Sequence, residues 1–242
     1  KRNKKSKIEL DKNTVKGSVI VTYTLTELKL LIRTPIYFIN CVLINFLWPA
    51  FILIPLILQP QEVNIIQELV QLINQPGAAG IVLAGSFAAS LFTSATNGVT
   101  STSISREGQE LFIKKYLPVS YKQQLTAKVL SGLILGLVSV LMMVLFAVFV
   151  FKIPIWLGLL ILAAAWLPVL YTSLTGLIID LYNPKLDWDS EQKAVKQNIN
   201  LLYNMLAGII PAAVIVIAFF FSSNLLLTFV ILTLGHGLLC FI

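Results

Sequence analysis

The sequence has little charge. Asp, Glu, Lys and Arg together make up 12% of its 242 residues, whereas an ordinary soluble domain has about 25%. Hydrophobic residues make up 57%, and the mean hydropathy is +0.86. A disordered chain needs the opposite balance, with few hydrophobic residues and a high net charge. The composition therefore excludes a disordered protein, argues against a water-soluble globule and predicts a membrane protein.

Residues that catalytic and metal sites commonly need are also scarce. The chain has a single histidine, His236, and two cysteines, Cys41 and Cys240, which lie far apart in apolar runs. One histidine without a neighbouring acid cannot supply a zinc site or a Ser–His–Asp triad. The phosphate-binding pattern G-x-x-x-x-G-K-[ST] does not occur either. We therefore expect the chain not to be an enzyme and to hold no metal or cofactor of its own.

Long stretches of the sequence carry no charge at all. They lie between Arg33 and Glu62, Glu68 and Arg106, Lys128 and Lys152, Lys152 and Asp180, and after Lys196. A helix needs about 20 mainly apolar residues to cross the hydrocarbon core, and the last run is long enough for two such helices. The sequence therefore predicts an all-α membrane protein whose domain, 36–242, contains six transmembrane helices. The predicted spans are 36–58, 79–101, 127–151, 154–180, 201–221 and 224–242.

The 18 basic residues are distributed unevenly among the predicted loops. If the N-terminus is cytoplasmic, 17 of them lie on the cytoplasmic side and only Lys152 lies outside. Cytoplasmic loops are enriched in Lys and Arg, so we expect both termini in the cytoplasm. The net charge of +7 then reflects topology and does not indicate a nucleic-acid partner. Residues 1–17 are expected to be a cytoplasmic linker, and since Lys1 is not an initiator methionine, we expect a processed chain or a piece of a longer one.

Residues 18–35 form an amphipathic segment before the first span. Its hydrophobic stripe contains Val21, Leu25, Leu28 and Ile32. Lys29 and Arg33 lie on a neighbouring stripe, a pattern typical of a helix that lies along the inner membrane surface. Pro35 predicts a break before the first span. The alternative is a plain cytoplasmic extension of that span.

The second predicted span consists mainly of Gly, Ala, Ser and Thr. Small residues let helices approach closely in a membrane, so we expect this span inside the bundle. Its polar inner end, and the histidine of the last span, have two interpretations. They either pack against neighbouring helices or line a pathway for a transported substrate. The candidate pathway residues are Thr93, Thr96, Asn97, Thr100 and His236.

The connection after the second span predicts a short cytoplasmic helix over residues 105–117. Ser105 can cap it, and the order of its charges, acidic first and basic last, suits the helix dipole. Pro118 ends it, and Ser120 with Gln123 predicts a capping box at the start of the next helix. This short helix is either a surface-lying connector or a docking site for a cytoplasmic partner. Its candidate contact residues are Ser105, Arg106, Glu107, Gly108, Leu111, Phe112, Lys114 and Tyr116.

Residues 181–200 form the other cytoplasmic connection. Pro184 predicts the end of the fourth span. Asp189, with Gln192 three residues later, predicts the start of the following helix. Asp180 lies at the end of the fourth span, where we expect it to reach water.

Three segments carry a resemblance to a known family. They are TELKLLIRTPIYFINCVL at the first span, SISREGQELFIKKYLPVS after the second and NPKLDWDSEQKAVKQNIN after the fourth. They cover about a fifth of the chain, and their order and spacing to the six spans match throughout. On these segments the chain resembles the permease subunit of a bacterial type-2 ATP-binding-cassette exporter, of the large two-part kind common in Gram-positive bacteria.

The resemblance implies a role for each segment. Residues 18–34 would be the elbow helix, and 105–117 the coupling helix seated in a groove of a separate ATPase subunit. Glu107 and Gly108 stand at the matching motif positions. Residues 184–198 would make a second cytoplasmic contact. The residues expected in that contact are Pro184, Lys185, Asp187, Trp188, Glu191 and Lys196.

The implied function is export through the bacterial cell membrane, driven by an ATPase partner that holds ATP and magnesium. Permeases of this family are about twice as long, so the chain would be the C-terminal half and would need the other half or a second permease. A lipid, a hydrophobic peptide and an antibiotic suit the apolar interior equally as substrates. The alternative from another class is a non-transporting membrane scaffold or assembly protein with the same topology.

Overall fold

A computed structural model describes residues 17–47, 54, 62–75, 77–114, 116, 118–220 and 225–241. Every regular element in these ranges is helical, which confirms the all-α prediction. The helices are α1 (Val19–Arg33), α2 (Pro35–Leu47, with a π-helical stretch over Phe38–Leu43), α3 (Glu62–Ile73), α4 (Ala79–Ala95), α5 (Leu111–Lys114), α6 (Tyr121–Val150), α7 (Ile155–Tyr182), α8 (Glu191–Val195), α9 (Ile199–Phe220) and α10 (Leu225–Phe241), with a 3₁₀ helix over Ser105–Glu110.

Within the described ranges, three helical stretches are long and apolar enough to cross a membrane. They are α6, α7 and the run Glu191–Val216, which contains α8 and most of α9. The count rises to four if α1 and α2 form one bent span. α4 and α10 are apolar but have only 17 residues each. Much of the first predicted span, 36–58, lies outside the described residues, and so does the predicted boundary between the fifth and sixth spans.

A sharp bend separates α1 from α2. α1 ends at Arg33, Pro35 opens α2, and the two axes differ by 90°. Proline has a fixed φ and no N–H, so it suits the first turn of the new helix and cannot continue the old one. The break expected at Pro35 is thus confirmed. Val21 and Ile32 are more than half exposed, while Glu27 and Leu31 are buried.

The main hydrophobic core lies between α4, α6, α7 and α9. α4 packs most extensively with α9 and α7, as its small residues predict. A Cβ added at Gly208 of α9 would lie 2.6 Å from the Cβ of Ala95, so this crossing requires glycine. The expectation that the second predicted span lies inside the bundle is confirmed.

The boundary expected at residue 101 is wrong, because α4 ends at Ala95. The Asn97 side chain accepts a hydrogen bond from the Val99 N–H at 3.0 Å, and Gly98 has a φ of +64°. An asparagine that binds the backbone two residues on, followed by a glycine, favours a turn over a helix. Residues 96–108 form what we call the buried turn, since most of its side chains are shielded from solvent.

The predicted capping box is confirmed. Ser120 Oγ accepts from the Gln123 N–H, and Gln123 Oε1 accepts from the Ser120 N–H, both at 3.4 Å. These bonds satisfy N–H groups that a helix start leaves unpaired. α6 therefore begins at Tyr121, six residues before the expected start of the third span.

Candidate functional site

Asp180 holds the buried turn against α7 and α9. Its Oδ2 accepts from the N–H groups of Ile104 at 2.6 Å and Ser105 at 3.0 Å. Its Oδ1 accepts from the Ser105 hydroxyl and from Asn200 Nδ2, the latter at 2.8 Å. Four donors on one carboxylate satisfy its charge without water. Asp180 is fully buried, so the expectation that it reaches water at a span end is wrong.

Lys128 of α6 stands at the centre of a second buried cluster. Its Nζ lies 2.7 Å from Glu27 Oε1 and 2.6 Å from Glu107 Oε1, and it donates to the Ser103 carbonyl at 2.9 Å. Lys114 Nζ also contacts Glu107 Oε1, at 2.8 Å. A buried charge is stable only when it is well paired, and these contacts pair all four. These contacts join α1, the buried turn and α6. We call the set the charge network; its members are Glu27, Arg106, Glu107, Lys114 and Lys128.

Arg106 closes the buried turn on itself. Its Nη1 donates to the Val99 carbonyl at 2.8 Å and to Thr102 Oγ1 at 2.7 Å. Its Nη2 lies 3.6 Å from Glu27 Oε2, and its guanidinium stands 5.7 Å from the centroid of the Tyr37 ring. One arginine thereby connects the turn to both α1 and α2.

The continuous helix expected over residues 105–117 is wrong. The structure has a 3₁₀ helix over Ser105–Glu110 and a single turn of α-helix at α5. Gly108 kinks the 3₁₀ helix, with φ 52° and ψ −132°, a conformation open almost only to glycine. Ser105 does not cap a helix, because its hydroxyl is engaged by Asp180.

Replacing Gly108 with alanine is expected to lower the free energy of unfolding by about 1–3 kcal/mol. Alanine would be strained at the positive φ of this position, and its Cβ would lie 2.8 Å from Trp188 Cζ2. Thermal unfolding in detergent, followed by circular dichroism, measures the change. Gly85→Ala is the matched control, since a Cβ there meets nothing within 4 Å and alanine favours the helix. Equal stability of the two variants would contradict the strain at Gly108.

The predicted contact residues of this connection fall into two groups. Ser105, Arg106, Glu107 and Gly108 are buried in this conformation. Phe112 is 60% exposed and Tyr116 is 89% exposed, while Leu111 and Lys114 are half-buried. Residues 109–114 and Tyr116 form what we call the exposed tip.

The structure brings the second predicted contact segment onto the first. The Lys185 N–H donates to Ser105 Oγ at 2.9 Å, and Trp188 Nε1 donates to the Ser105 carbonyl at 2.8 Å. Trp188 therefore packs on the buried turn. The flanking residues are half-buried Pro184 and exposed Asp187, Glu191 and Lys196.

The following helix was expected to start at Asp189, and this prediction is wrong. It starts at Glu191, after an extended Ser190. Asp189 instead pairs with Lys193 at 2.7 Å. Hydrogen bonding from Lys193 lowers the pKa of the Asp189 carboxyl, because it favours the charged form.

The candidate pathway residues whose side chains the structure describes make contacts within the protein. Thr93 and Thr96 donate to carbonyls of α4, and Asn97 accepts from the Val99 N–H. Thr100 is buried beside α7, where a Cβ on Gly176 would lie 2.6 Å from its Oγ1. His236 lies in α10, with its side chain outside the described part of the structure. Lining of a pathway by any of these residues stays a prediction.

Sequence reasoning missed the residues that organise this region. Lys128 served only to mark the edge of a charge-free run, and Glu27 only as part of a motif. The Lys128–Glu27 pair spans 101 residues and the Ser105–Asp180 contact spans 75. No local pattern connects positions so distant. A usable signal was the presence of charge inside otherwise apolar helices, because such charges need partners.

Predicted contact residues from both connections surround one cavity of about 300 Å³. It is lined by Glu107 and Lys114 from the first connection and by Trp188 and Glu191 from the second. Within the described chain, no group of three or more His, Cys, Asp or Glu residues is placed to hold a metal ion. The charges of the charge network are paired with each other, and Asp180 is satisfied by neutral donors. Both arrangements fix the position of the turn.

No family model, curated protein or solved structure matches this chain.

Proposed function

We propose that this chain is the transmembrane subunit of an ATP-driven exporter in the bacterial plasma membrane, coupled to a separate ATPase subunit. Six spans, an elbow helix formed by α1 and cytoplasmic termini belong to this proposal. The ATPase would hold ATP and magnesium, and a second membrane unit would complete the pathway. The 90° bend between α1 and α2 suits an elbow at the membrane surface.

The exposed tip carries the proposal. Ile113 is 67% exposed and Tyr116 is 89% exposed, although the tip also carries Glu110 and Lys114. Charged residues are costly inside the hydrocarbon, which favours a position of this short segment outside it. Apolar side chains exposed at such a position would not be covered by lipid, and such patches commonly mark interaction sites.

The base of the tip suits the transmission of force. Ser105 and Glu107 are fixed by buried contacts to α7 and α6. Because the tip is short and the buried turn beneath it is firmly held, displacement of the tip would displace the turn as well. Closure of the ATPase on ATP would thus shift the helices that hold the turn. The partner would contact the tip and not the buried residues Ser105–Gly108.

Co-purification tests this proposal. The intact chain, expressed in bacteria and solubilised in mild detergent, is expected to bring down an ATPase. Ile113→Asp and Tyr116→Ala should each weaken that association about 30-fold, the effect of removing a binding hot spot. The amount of co-purified ATPase and its ATP hydrolysis are the readouts.

Ile155→Asp is the matched control. Ile155 is 71% exposed, similar to Ile113, but begins α7 at the opposite end of the bundle. ATPase binding should be retained in this variant. If no ATPase accompanies the intact protein in several detergents, the scaffold alternative is favoured.

A further inference from the structure

The charge network connects α1 to the buried turn through one side chain. Every polar side-chain contact that the described structure gives between α1 and the rest of the chain is made by Glu27. The hydroxyls of Thr22, Thr24 and Thr26 donate only to carbonyls within or next to α1. The position of α1 relative to the turn therefore depends on Glu27 and apolar packing.

Lys128 is the centre of that connection. Its ammonium has three protons, and the three acceptors within 2.9 Å are Glu27, Glu107 and the Ser103 carbonyl. The side chain is 4% exposed, and those of Glu27 and Glu107 are 7% and 4% exposed. Moving any one element alone would leave a charge buried without its partner, which disfavours the separated state roughly 100-fold or more.

We propose that Lys128 is the positioning residue that makes α1, α6 and the buried turn move as one unit. The inference rests on the proposed function, because it states where displacement of the tip goes. A push on the tip reaches Glu107, then Lys128, and then Glu27 on α1. α1 thereby moves with α6, although no chain segment connects the turn to α1 directly.

Hydrogen exchange of the full chain in lipid nanodiscs, read by mass spectrometry, tests this link without an ATPase. Backbone exchange rates report local opening. Glu27→Gln is expected to raise exchange at residues 99–108 at least tenfold, although the changed residue lies on α1. Glu107→Gln is expected to raise exchange across α1 in the same way. This reciprocity is the signature of energetic coupling.

Thr24→Val is the matched control on the same helix. Thr24 is buried, but its hydroxyl donates only to the Ile20 carbonyl. It should change exchange in α1 and leave residues 99–108 within twofold. Lys128→Arg, which keeps the charge, should preserve most protection, whereas Lys128→Met should raise exchange in α1 and the turn together.

The proposal would be overturned if hydrogen exchange in α1 and in the buried turn responded independently of each other. If Glu27→Gln loosens α1 but changes exchange at 99–108 less than twofold, Lys128 does not connect them. Even if Lys128→Met does not fold, the two nearly isosteric variants decide the matter together. Glu27→Gln removes the contacts of Glu27 with both Lys128 and Arg106, whereas Glu107→Gln leaves the Arg106–Glu27 contact in place. Raised exchange across α1 in Glu107→Gln therefore assigns the link to Lys128. If no ATPase co-purifies with the intact chain, the proposed function is rejected but the exchange result still stands. The two failures are therefore distinguishable.

Discussion

Asp180→Ala is expected to lower the free energy of unfolding by about 3–5 kcal/mol, the effect of removing one partner from a buried charged contact. The substitution would leave the N–H groups of Ile104 and Ser105 and the Asn200 amide without their shared acceptor. Each buried donor left unpaired is costly. Thermal unfolding in detergent should show a fall in Tm of about 6–20 °C.

Two comparisons separate this effect from a general loss of charge. Asp180→Asn keeps one acceptor oxygen and should cost less than alanine. Asp187→Ala removes an exposed carboxylate from the neighbouring connection and should change stability by no more than about 0.5 kcal/mol. A Tm for Asp180→Ala equal to that of the intact protein would contradict the role of Asp180 in holding the buried turn.

Glu107→Lys is expected to be similarly destabilising, by about 3–5 kcal/mol. The new ammonium would stand beside Lys128 and Lys114, which both contact Glu107 Oε1. Glu27 would remain as the only acid of the network. Repulsion between buried cations cannot be screened by water, and the turn would separate from α6. Tm and the yield of monodisperse protein in detergent measure the loss.

Glu110→Lys is the control with the same charge change. Glu110 is exposed, three residues further along the same segment. Its reversal should alter stability by only about 0.5 kcal/mol. If both reversals have the same small effect, the charge network does not stabilise the turn.

The contrast between buried Glu107 and exposed side chains also decides which variants can probe partner binding. A substitution at Glu107 changes the fold of the turn as well as any surface, so loss of a partner in that variant has two explanations. Substitutions at Ile113 and Tyr116 change exposed side chains and leave the buried contacts in place. Docking is therefore best tested on the exposed tip.

Local signals predicted several elements well. The apolar runs located α6, α7, α9 and α10 to within a few residues, apart from the early start of α6. Pro35 and the Ser120–Gln123 capping box marked helix boundaries correctly. These features depend on neighbouring residues only, since a cap, a proline break or a long apolar run acts within a few turns of helix.

The connection after the second span was predicted less well. Its charge order and Pro118 favoured one helix over 105–117, whereas Gly108 interrupts it and Asp180 captures Ser105. A partner 75 residues away overrides the local helix preference because a buried carboxylate must be satisfied. Glu107, predicted to face a partner, is instead held by Lys128.

The sequence by itself determined that the protein is helical and apolar, where most of its long helices lie and where several of them begin. It did so because hydrophobic periodicity, charge-free length and capping are local properties of the chain. Only the tertiary structure decided that residues 96–108 turn back into the protein and that Asp180 and Lys128 fix them. Asp180 accepts from Ser105 across 75 residues and Lys128 pairs with Glu27 across 101, and such contacts depend on how the helices pack.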